Sequence, residues 1–275
     1  MKLLISRTVS VIFLLFSFVT FFSLHTHAAA LNIINGQEVP AGQQPWMVSI
    51  VQAKIEDNYL AQFCGGTVVA PEWVLTSAHC TLDENGKLFE VADLAILSGS
   101  RQLSAAHGER VQVDQIVRHW AYDNAAHSND VALLHLSKPV TVTPIKLNRS
   151  LQNPTEISAT MATVVGWGVT SEGQGADLLQ STQLPLVDQP SCQSFYNKYG
   201  LMIDSNTLCA GYKNGNSDAC AGDSGGPLLV WDTKSLNWVQ IGIVSWGASC
   251  AQPGAYGVYS RVASYIDWID AVLKG

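Results

Sequence analysis

Gly222-Asp223-Ser224-Gly225-Gly226-Pro227 sets a serine between an aspartate and two glycines, toward the C-terminal end of a 275-residue chain. By itself a serine among glycines is an ordinary loop. Two upstream stretches change its meaning: Leu75-Thr76-Ser77-Ala78-His79-Cys80 and Asn129-Asp130-Val131-Ala132-Leu133-Leu134. Each of these is also commonplace alone. A histidine beside a cysteine usually serves structure, and an aspartate before an apolar run usually caps a turn. Chance is a poor explanation for finding all three in the order His79, Asp130, Ser224 within one chain.

Working outward, the N-terminus reads as a leader rather than as fold. Lys2 and Arg7 give a positive start, Val9 to Leu24 is almost continuously apolar, and Ala28-Ala29-Ala30 offers small residues to a signal peptidase. A membrane anchor is the competing reading, but a spanning helix wants roughly 20 apolar residues, and this run is shorter and ends in a cleavage-like site. Residues 1–30 are therefore expected to be a signal peptide, and the mature chain to be secreted: extracellular, or periplasmic in a bacterial host.

Export changes how the six cysteines read. An even number in an exported chain points to disulfides, with several pairings left open by spacing alone. Metal ligation is the alternative, and the absence of any CxxC pair argues against it. The composition, 47% hydrophobic and 13% charged, supports a sizeable core, and a formal charge of -7 with no basic patch argues against nucleic acid as a partner.

Beyond Ala30 there is no low-complexity stretch or short repeat. The 22 glycines and 10 prolines are spread along the chain, as expected for many short strands joined by turns. Trp238 to Val244 reads as a buried strand and Val111 to Val117 as a second, less cleanly alternating one. Long amphipathic helical patterns are rare; the exception is the C-terminus, where Val262, Tyr265, Ile266, Ile269 and Leu273 recur at helical spacing. The outline is all-β with one terminal helix docked on the body.

Taken together, the three stretches resemble the trypsin-like serine peptidase family, and the order His, Asp, Ser separates them from subtilisin-like and α/β-hydrolase arrangements. The resemblance runs from Ile33 to about Lys274 and includes Cys64-Gly65-Gly66, Gly166-Trp167-Gly168 and Ser245-Trp246-Gly247. It implies two six-stranded antiparallel β-barrels with a C-terminal α-helix, the peptidase domain covering 33–275 and the barrels falling at about 33–150 and 151–275. It implies His79, Asp130 and Ser224 as the catalytic triad, with the N–H groups of Gly222 and Ser224 as the oxyanion hole. It also implies the disulfides Cys64–Cys80, Cys192–Cys209 and Cys220–Cys250.

The same resemblance places Asp218, six positions before Ser224, at the base of the pocket for the residue preceding the cut bond, where a carboxylate pairs with Arg or Lys. The plain alternative is a surface aspartate in a polar loop. Gly247 and Gly257 match the small wall residues that let a long side chain enter. Ala219 follows Asp218 where relatives often carry Ser; without that hydroxyl to solvate an ammonium, Arg is expected to be preferred over Lys. Ser245, Trp246 and Gly247 match the segment that pairs with extended substrate, Trp246 also offering an apolar wall.

Ile33-Ile34-Asn35-Gly36 resembles the start of the mature enzyme, whose freed amine pairs with the aspartate next to the nucleophile, here Asp223. The departure lies just before it: Asn32 stands where most relatives carry Arg or Lys. Residues 31–32 are expected to be a short propeptide removed by an aminopeptidase, a dipeptidyl peptidase or another protease, not by self-cleavage. Ser100-Arg101 falls where a first calcium carboxylate would be, with Glu109 at a later ligand position, so no metal or cofactor is expected. Tyr256 stands where many relatives have Pro, a substitution that in the family accompanies a sodium site and that reads equally as one tolerated in a turn. Asn148-Arg149-Ser150 is a glycosylation sequon. Expected partners are protein or peptide substrates and protein inhibitors; neither nucleic acid nor, after leader removal, a membrane is expected, and the chain is expected to act as a monomer. A non-catalytic binding protein on the same fold is the rival from another class, and retention of all three triad residues argues against it. Chymotrypsin-like or elastase-like specificity is the rival among enzymes, disfavoured by the penalty on a carboxylate in an apolar pocket.

Overall fold

A computed structural model of the chain describes residues 36–105, 107–152, 156, 158, 160–170, 173–215, 218–250 and 252–275. The leader, the expected propeptide and Ile33 lie outside the described residues. Six strands, β2 (Met47–Gln52), β3 (Gln62–Ala70), β4 (Trp73–Thr76), β5 (Leu94–Ser98), β6 (Glu109–Arg118) and β7 (Ala132–Leu136), close a barrel in the order β2-β3-β4-β7-β6-β5. Six more, β9 (Met161–Gly166), β10 (Gln180–Val187), β11 (Thr207–Ala210), β12 (Pro227–Asp232), β13 (Asn237–Trp246) and β14 (Gly257–Arg261), run β9-β10-β11-β14-β13-β12 and close through a β12–β9 pairing. All pairings within both rings are antiparallel. The fold expected from the family resemblance, two six-stranded barrels and a terminal helix, is the fold observed.

Two short strands, one on each side of the first barrel in the chain, join the second barrel. Strand β1 (Gln37–Glu38) pairs with β10, and β8 (Lys146–Leu147) lies parallel on β13. Closure removes exposed sheet edges and gives each barrel its own interior. Val48, Ile50, Val74, Ile96 and Leu134 fill the first; Val164, Leu184, Leu228, Ile241 and Tyr259 fill the second. Each fully buried Leu or Ile contributes roughly 1.5–3 kcal/mol.

The barrels share a seam. Met47 and Leu97 of the first pack with Val165, Trp167 and Leu229 of the second. Buried polar contacts cross it as well, among them Thr67 Oγ1 on β3 donating to Gln240 Oε1 on β13 at 2.8 Å.

The apolar C-terminal pattern resolves into a 3-10 turn at Val262–Ser264 and helix α3 (Ile266–Lys274). Its buried face meets Leu75 and Leu133 of the first barrel and Ile243 of the second, so the helix clasps both. Asp267 in its first turn and Lys274 in its last complement the helix dipole, and Arg149 holds Asp270 through two bonds of 2.8 and 2.9 Å. Two further helices were not legible as periodic patterns: α1 (Asn58–Ala61), capped by Asp57, and α2 (Gln189–Tyr196), capped by Asp188 with a proline in its first turn. Both are short and hold few buried residues, so no apolar stripe announces them. Among the described residues, no helix is long and apolar enough to cross a membrane.

All three implied disulfides are present, Cys64–Cys80, Cys192–Cys209 and Cys220–Cys250. The sequon residue Asn148 is buried and its Nδ2 donates to Ser150 O at 3.1 Å and to the Glu156 carboxylate. A glycan on that nitrogen would replace one of its two hydrogens and so remove at least one of these bonds.

Candidate active site

His79 opens the 3-10 turn His79–Thr81 directly after β4, and the Cys64–Cys80 disulfide pins that turn to β3. Asp130 stands at the entry to β7, after Asn129, whose φ of 52° is of the left-handed kind asparagine tolerates and whose Nδ2 donates to Ala121 O at 3.0 Å. The two meet twice: His79 N–H donates to Asp130 Oδ1 at 2.9 Å, and Nδ1 lies 2.8 Å from Oδ2.

The second barrel completes the carboxylate's surroundings. Ser245 Oγ on β13 donates to Asp130 Oδ2, and Ser260 Oγ on β14 donates to the Asp130 carbonyl at 2.7 Å. Burial pushes the Asp130 carboxyl up, but the charge of His79 and the bonds from His79 and Ser245 outweigh it and hold it below its ordinary value. An ionised Asp130 makes Nδ1 the donor and leaves Nε2 of His79 as the acceptor.

Ser224 comes to this pair through its backbone. Gly65 N–H of β3 donates to Ser224 O at 2.7 Å, while Gly225 N–H donates to Val244 O at 2.9 Å and Val244 N–H to Gly226 O at 2.8 Å. Gly225 lies so close to the stretch before His79 that a Cβ there would stand 2.1 Å from Thr76 Oγ1 and 3.2 Å from Ser77 N. The loop bearing Ser224 is thus pressed against the segment that leads into His79. Among the described residues Ser224 Oγ makes no hydrogen bond, and His79 Nε2 lies 3.8 Å from Cys80 Sγ. Bonds of this kind in unliganded sites are commonly long and tighten with substrate.

The N–H groups of Gly222 and Ser224 have no acceptor among the described residues, whereas their neighbours Asp223, Gly225 and Gly226 are all bonded. Asp223 itself is fully buried. Its Oδ1 accepts from Gly168 N–H at 2.8 Å and its Oδ2 from Cys220 N–H at 3.0 Å. Burial pushes its carboxyl up to about 6 against those two bonds, and no cation faces it among the described residues.

A cavity of about 250 Å³ opens beside Ser224, lined by Asp218, Ala219, Ser245, Trp246, Gly247 and Gly257 among others. It gathers every pocket residue expected from the sequence. Asp218 is buried, and a Cβ on Gly257 would stand 3.2 Å from Asp218 Oδ1, so a side chain there would crowd the carboxylate. Tyr196, which no motif marked, is buried behind the cavity residue Trp246: its ring lies 4.8 Å from that of Trp246, and its hydroxyl donates to the Tyr256 carbonyl. A larger cleft of about 440 Å³ beside Met47 and Leu179 holds none of the three residues.

In the loop likened to a calcium site, a guanidinium and an ion pair occupy the two candidate ligand positions. Arg101 places its guanidinium 3.2 Å from Val39 O and 3.8 Å from Glu38, and Glu109 is paired with Lys138 at 2.5 Å. Cys64, His79 and Cys80 cluster closely enough to suggest a metal, but both thiols are spent in a disulfide.

Two closed barrels with a His–Asp pair and a loop serine at their seam define a serine peptidase. The chain matches the family described as Trypsin over residues 33–269. It is 37% identical over 236 residues to Trypsin of Saccharopolyspora erythraea, covering 86% of this chain and 95% of that one. It is 33% identical over 252 residues to Mannan-binding lectin serine protease 1 of Rattus norvegicus, covering 88% of this chain and 35% of the rat protein, so it spans about a third of that relative's length. The chain belongs to the trypsin family of serine peptidases and acts on protein or peptide substrates.

Proposed function

We propose that the protein is an exported endopeptidase that cuts peptide bonds after arginine, and less readily after lysine, using His79, Asp130 and Ser224. The observation that carries the reading is the buried carboxylate of Asp218 in a cavity that also reaches Ser224. A guanidinium entering between Gly247 and Gly257 meets that carboxylate in a fork geometry, with charge and hydrogen bonds satisfied together. Ala219 offers no hydroxyl to a lysine ammonium, which favours arginine.

Ser224 Oγ attacks the scissile carbonyl while its proton passes to His79 Nε2. Asp130, bonded to Nδ1, stabilises the imidazolium and holds the tautomer. The developing oxyanion takes the unengaged N–H groups of Gly222 and Ser224, a pair of donors worth roughly 3–4 kcal/mol each to the transition state. His79 then returns the proton to the leaving amine, and water releases the acyl group from Ser224 by the same steps in reverse order. Substrate backbone pairs along Ser245 to Gly247, against the Trp246 ring.

Activity requires Ile33 as a free N-terminus. Its ammonium supplies the counter-charge that buried Asp223 lacks among the described residues, and an incomplete buried pair is costly. Because Asn32 is a poor target for an arginine-directed enzyme, removal of Leu31-Asn32 falls to another peptidase.

The test uses purified protein with Ile33 verified as its first residue. Initial rates are compared on matched peptides ending in Arg, Lys, Phe or Val, with Ser224→Ala as control. Cleavage fastest after Arg and absent in the control is expected. Cleavage after Phe or Val would overturn the role of Asp218, and no cleavage by the Ile33 form would overturn the enzymatic reading.

A further inference from the structure

The oxyanion reading rests on the N–H of Gly222, and glycine by itself does not hold an N–H in one direction. What holds it is visible on both sides of the residue. The preceding peptide is anchored by its carbonyl, since Val169 N–H donates to Ala221 O at 2.7 Å. In a trans peptide the N–H points opposite to the C=O, so this bond turns Gly222 N–H away from Val169. The following peptide is anchored at both ends: Asp223 N–H donates to Cys220 O at 3.0 Å, and the Gly222 carbonyl accepts from Gln62 Nε2 at 2.8 Å.

That last bond comes from the other barrel. Gln62 opens β3, its backbone register fixed opposite Val51 of β2. The four-residue helix α1 just before it sends a second tether the same way, Tyr59 Oη donating to Gly175 O at 3.0 Å. The loop containing Gly175 is in turn bonded to Gly168 through Ala176 N–H, and Gly168 N–H to Asp223. The first barrel therefore braces the oxyanion loop of the second.

We propose that Gln62 is a positioning residue for catalysis: its side-chain N–H, bonded to the Gly222 carbonyl, fixes the backbone of Gly222 so that the Gly222 N–H faces the oxyanion. The proposal rests on the reading of Gly222 and Ser224 as oxyanion donors. Swinging that N–H out of the site turns the 221–222 peptide about ψ of Ala221 and φ of Gly222, and the bonds on the 222–223 peptide, the one from Gln62 among them, deny that turn any slack on its C-terminal side. Nothing in a Gln next to an aromatic and a cysteine announces such a role, because the contact joins residues far apart in the chain.

The test compares Gln62→Ala and Gln62→Glu with the wild type, each processed to Ile33. Glu keeps the shape of Gln and replaces the donor by a carboxylate facing a carbonyl. Four readings are taken on each: kcat and KM on an arginyl peptide amide, inhibition by an arginyl peptide aldehyde, inhibition by benzamidine, and the melting temperature. The aldehyde forms a tetrahedral adduct with Ser224 and needs the oxyanion donors, whereas benzamidine needs only the Asp218 pocket. We expect kcat to fall about tenfold in Gln62→Ala, and further in Gln62→Glu. Aldehyde affinity should fall in parallel, with KM and benzamidine affinity held to within about twofold. Unchanged kcat and aldehyde affinity in both variants would overturn the proposal. Benzamidine affinity falling as far as aldehyde affinity would overturn it too, by showing a general loosening of the loop. A wild type that binds benzamidine but forms no aldehyde adduct would instead overturn the oxyanion reading, and the proposal with it.

Discussion

Gly168 and Asp223 are locked together with no space for a side chain on the glycine: its N–H donates to Asp223 Oδ1 at 2.8 Å, and a Cβ on Gly168 would lie 2.3 Å from Asp223 Oδ2. Gly166 stands in the same relation, its virtual Cβ 2.2 Å from Oδ1. Gly166-Trp167-Gly168 thus forms a wall of the chamber that holds the buried carboxylate next to Ser224. Gly168→Ala must displace Asp223 and, with it, the Gly222 and Ser224 donors. The expected result is a fall in kcat/KM on an arginyl peptide of at least about 100-fold, with a loss of about 1–3 kcal/mol in stability from overpacking. A soluble Gly168→Ala enzyme with wild-type turnover would contradict this account.

Asp223 makes stability depend on pH and on processing together. Its carboxyl is pushed up to about 6 from an ordinary 3.8, so between those values the folded chain binds more protons than the unfolded one. By linkage, stability falls as pH rises from about 4 to 6, on the order of 3 kcal/mol for one fully buried group. An ammonium at Ile33 removes that penalty. The Ile33 form should therefore melt close to a form still carrying Leu31-Asn32 at pH 4 and well above it at pH 7. The gap should close again at alkaline pH as the amine loses its proton. Melting curves of the two forms across this range check it; a gap independent of pH would count against the pairing.

Asp130 is held by His79 through two bonds and by Ser245 through one. Asp130→Asn removes the charge and reverses the preference for the Nδ1-protonated imidazole; the Ser–His–Asp template loses about 10⁴-fold in kcat on this change, and the same order is expected here. Ser245→Ala leaves both His79 bonds in place and should lower kcat only about tenfold. Steady-state kinetics of the two variants give the ranking, and a larger loss for Ser245→Ala would show that the two supports were ordered wrongly.

The buried bond between Thr67 and Gln240 lends itself to a double-mutant cycle. Gln240→Leu leaves the Thr67 hydroxyl without its acceptor in the seam, with an expected loss of about 1–3 kcal/mol. Adding Thr67→Val removes the orphaned hydroxyl and should recover part of that loss, since deleting both partners is far cheaper than deleting one. Denaturant unfolding of the four proteins measures the coupling. Strictly additive losses would show that the bond does not join the barrels energetically.

Several elements were legible locally. Val111 to Val117 lies inside β6 and Trp238 to Val244 inside β13, and the C-terminal stripe from Val262 to Leu273 becomes a 3-10 turn and α3. The helix and the first half of β6 succeed because one face is buried, so the period records the surroundings, and β13 succeeds because Gln240 to Ser245 are buried on both faces, which a continuous apolar run records. The pocket residues from Asp218 to Gly257 were legible for another reason: the resemblance carries an alignment pinned by Cys220 and Ser224, and the cavity gathers the same residues. Helix α2 escaped because Asp188 and Pro190 mark a helix start without a stripe to follow. Gln62, Tyr196 and Ser260 escaped because their partners Gly222, Tyr256 and Asp130 lie far off in the chain.

The sequence by itself determined the family, put forward His79, Asp130 and Ser224 as the reacting side chains, and gave the cysteine pairs that the family implies and the departure at Asn32. Residue identity and order carry that information directly. Only the tertiary structure decided that Asp223 is buried to the point of losing its ordinary acidity, that Ser245 and Ser260 of one barrel clamp an aspartate of the other, and that Gln62 reaches across the seam to Gly222. Burial and hydrogen-bond geometry are set by what packs from elsewhere in the chain. They exist only once two barrels have closed and met, and no window of neighbouring residues contains them.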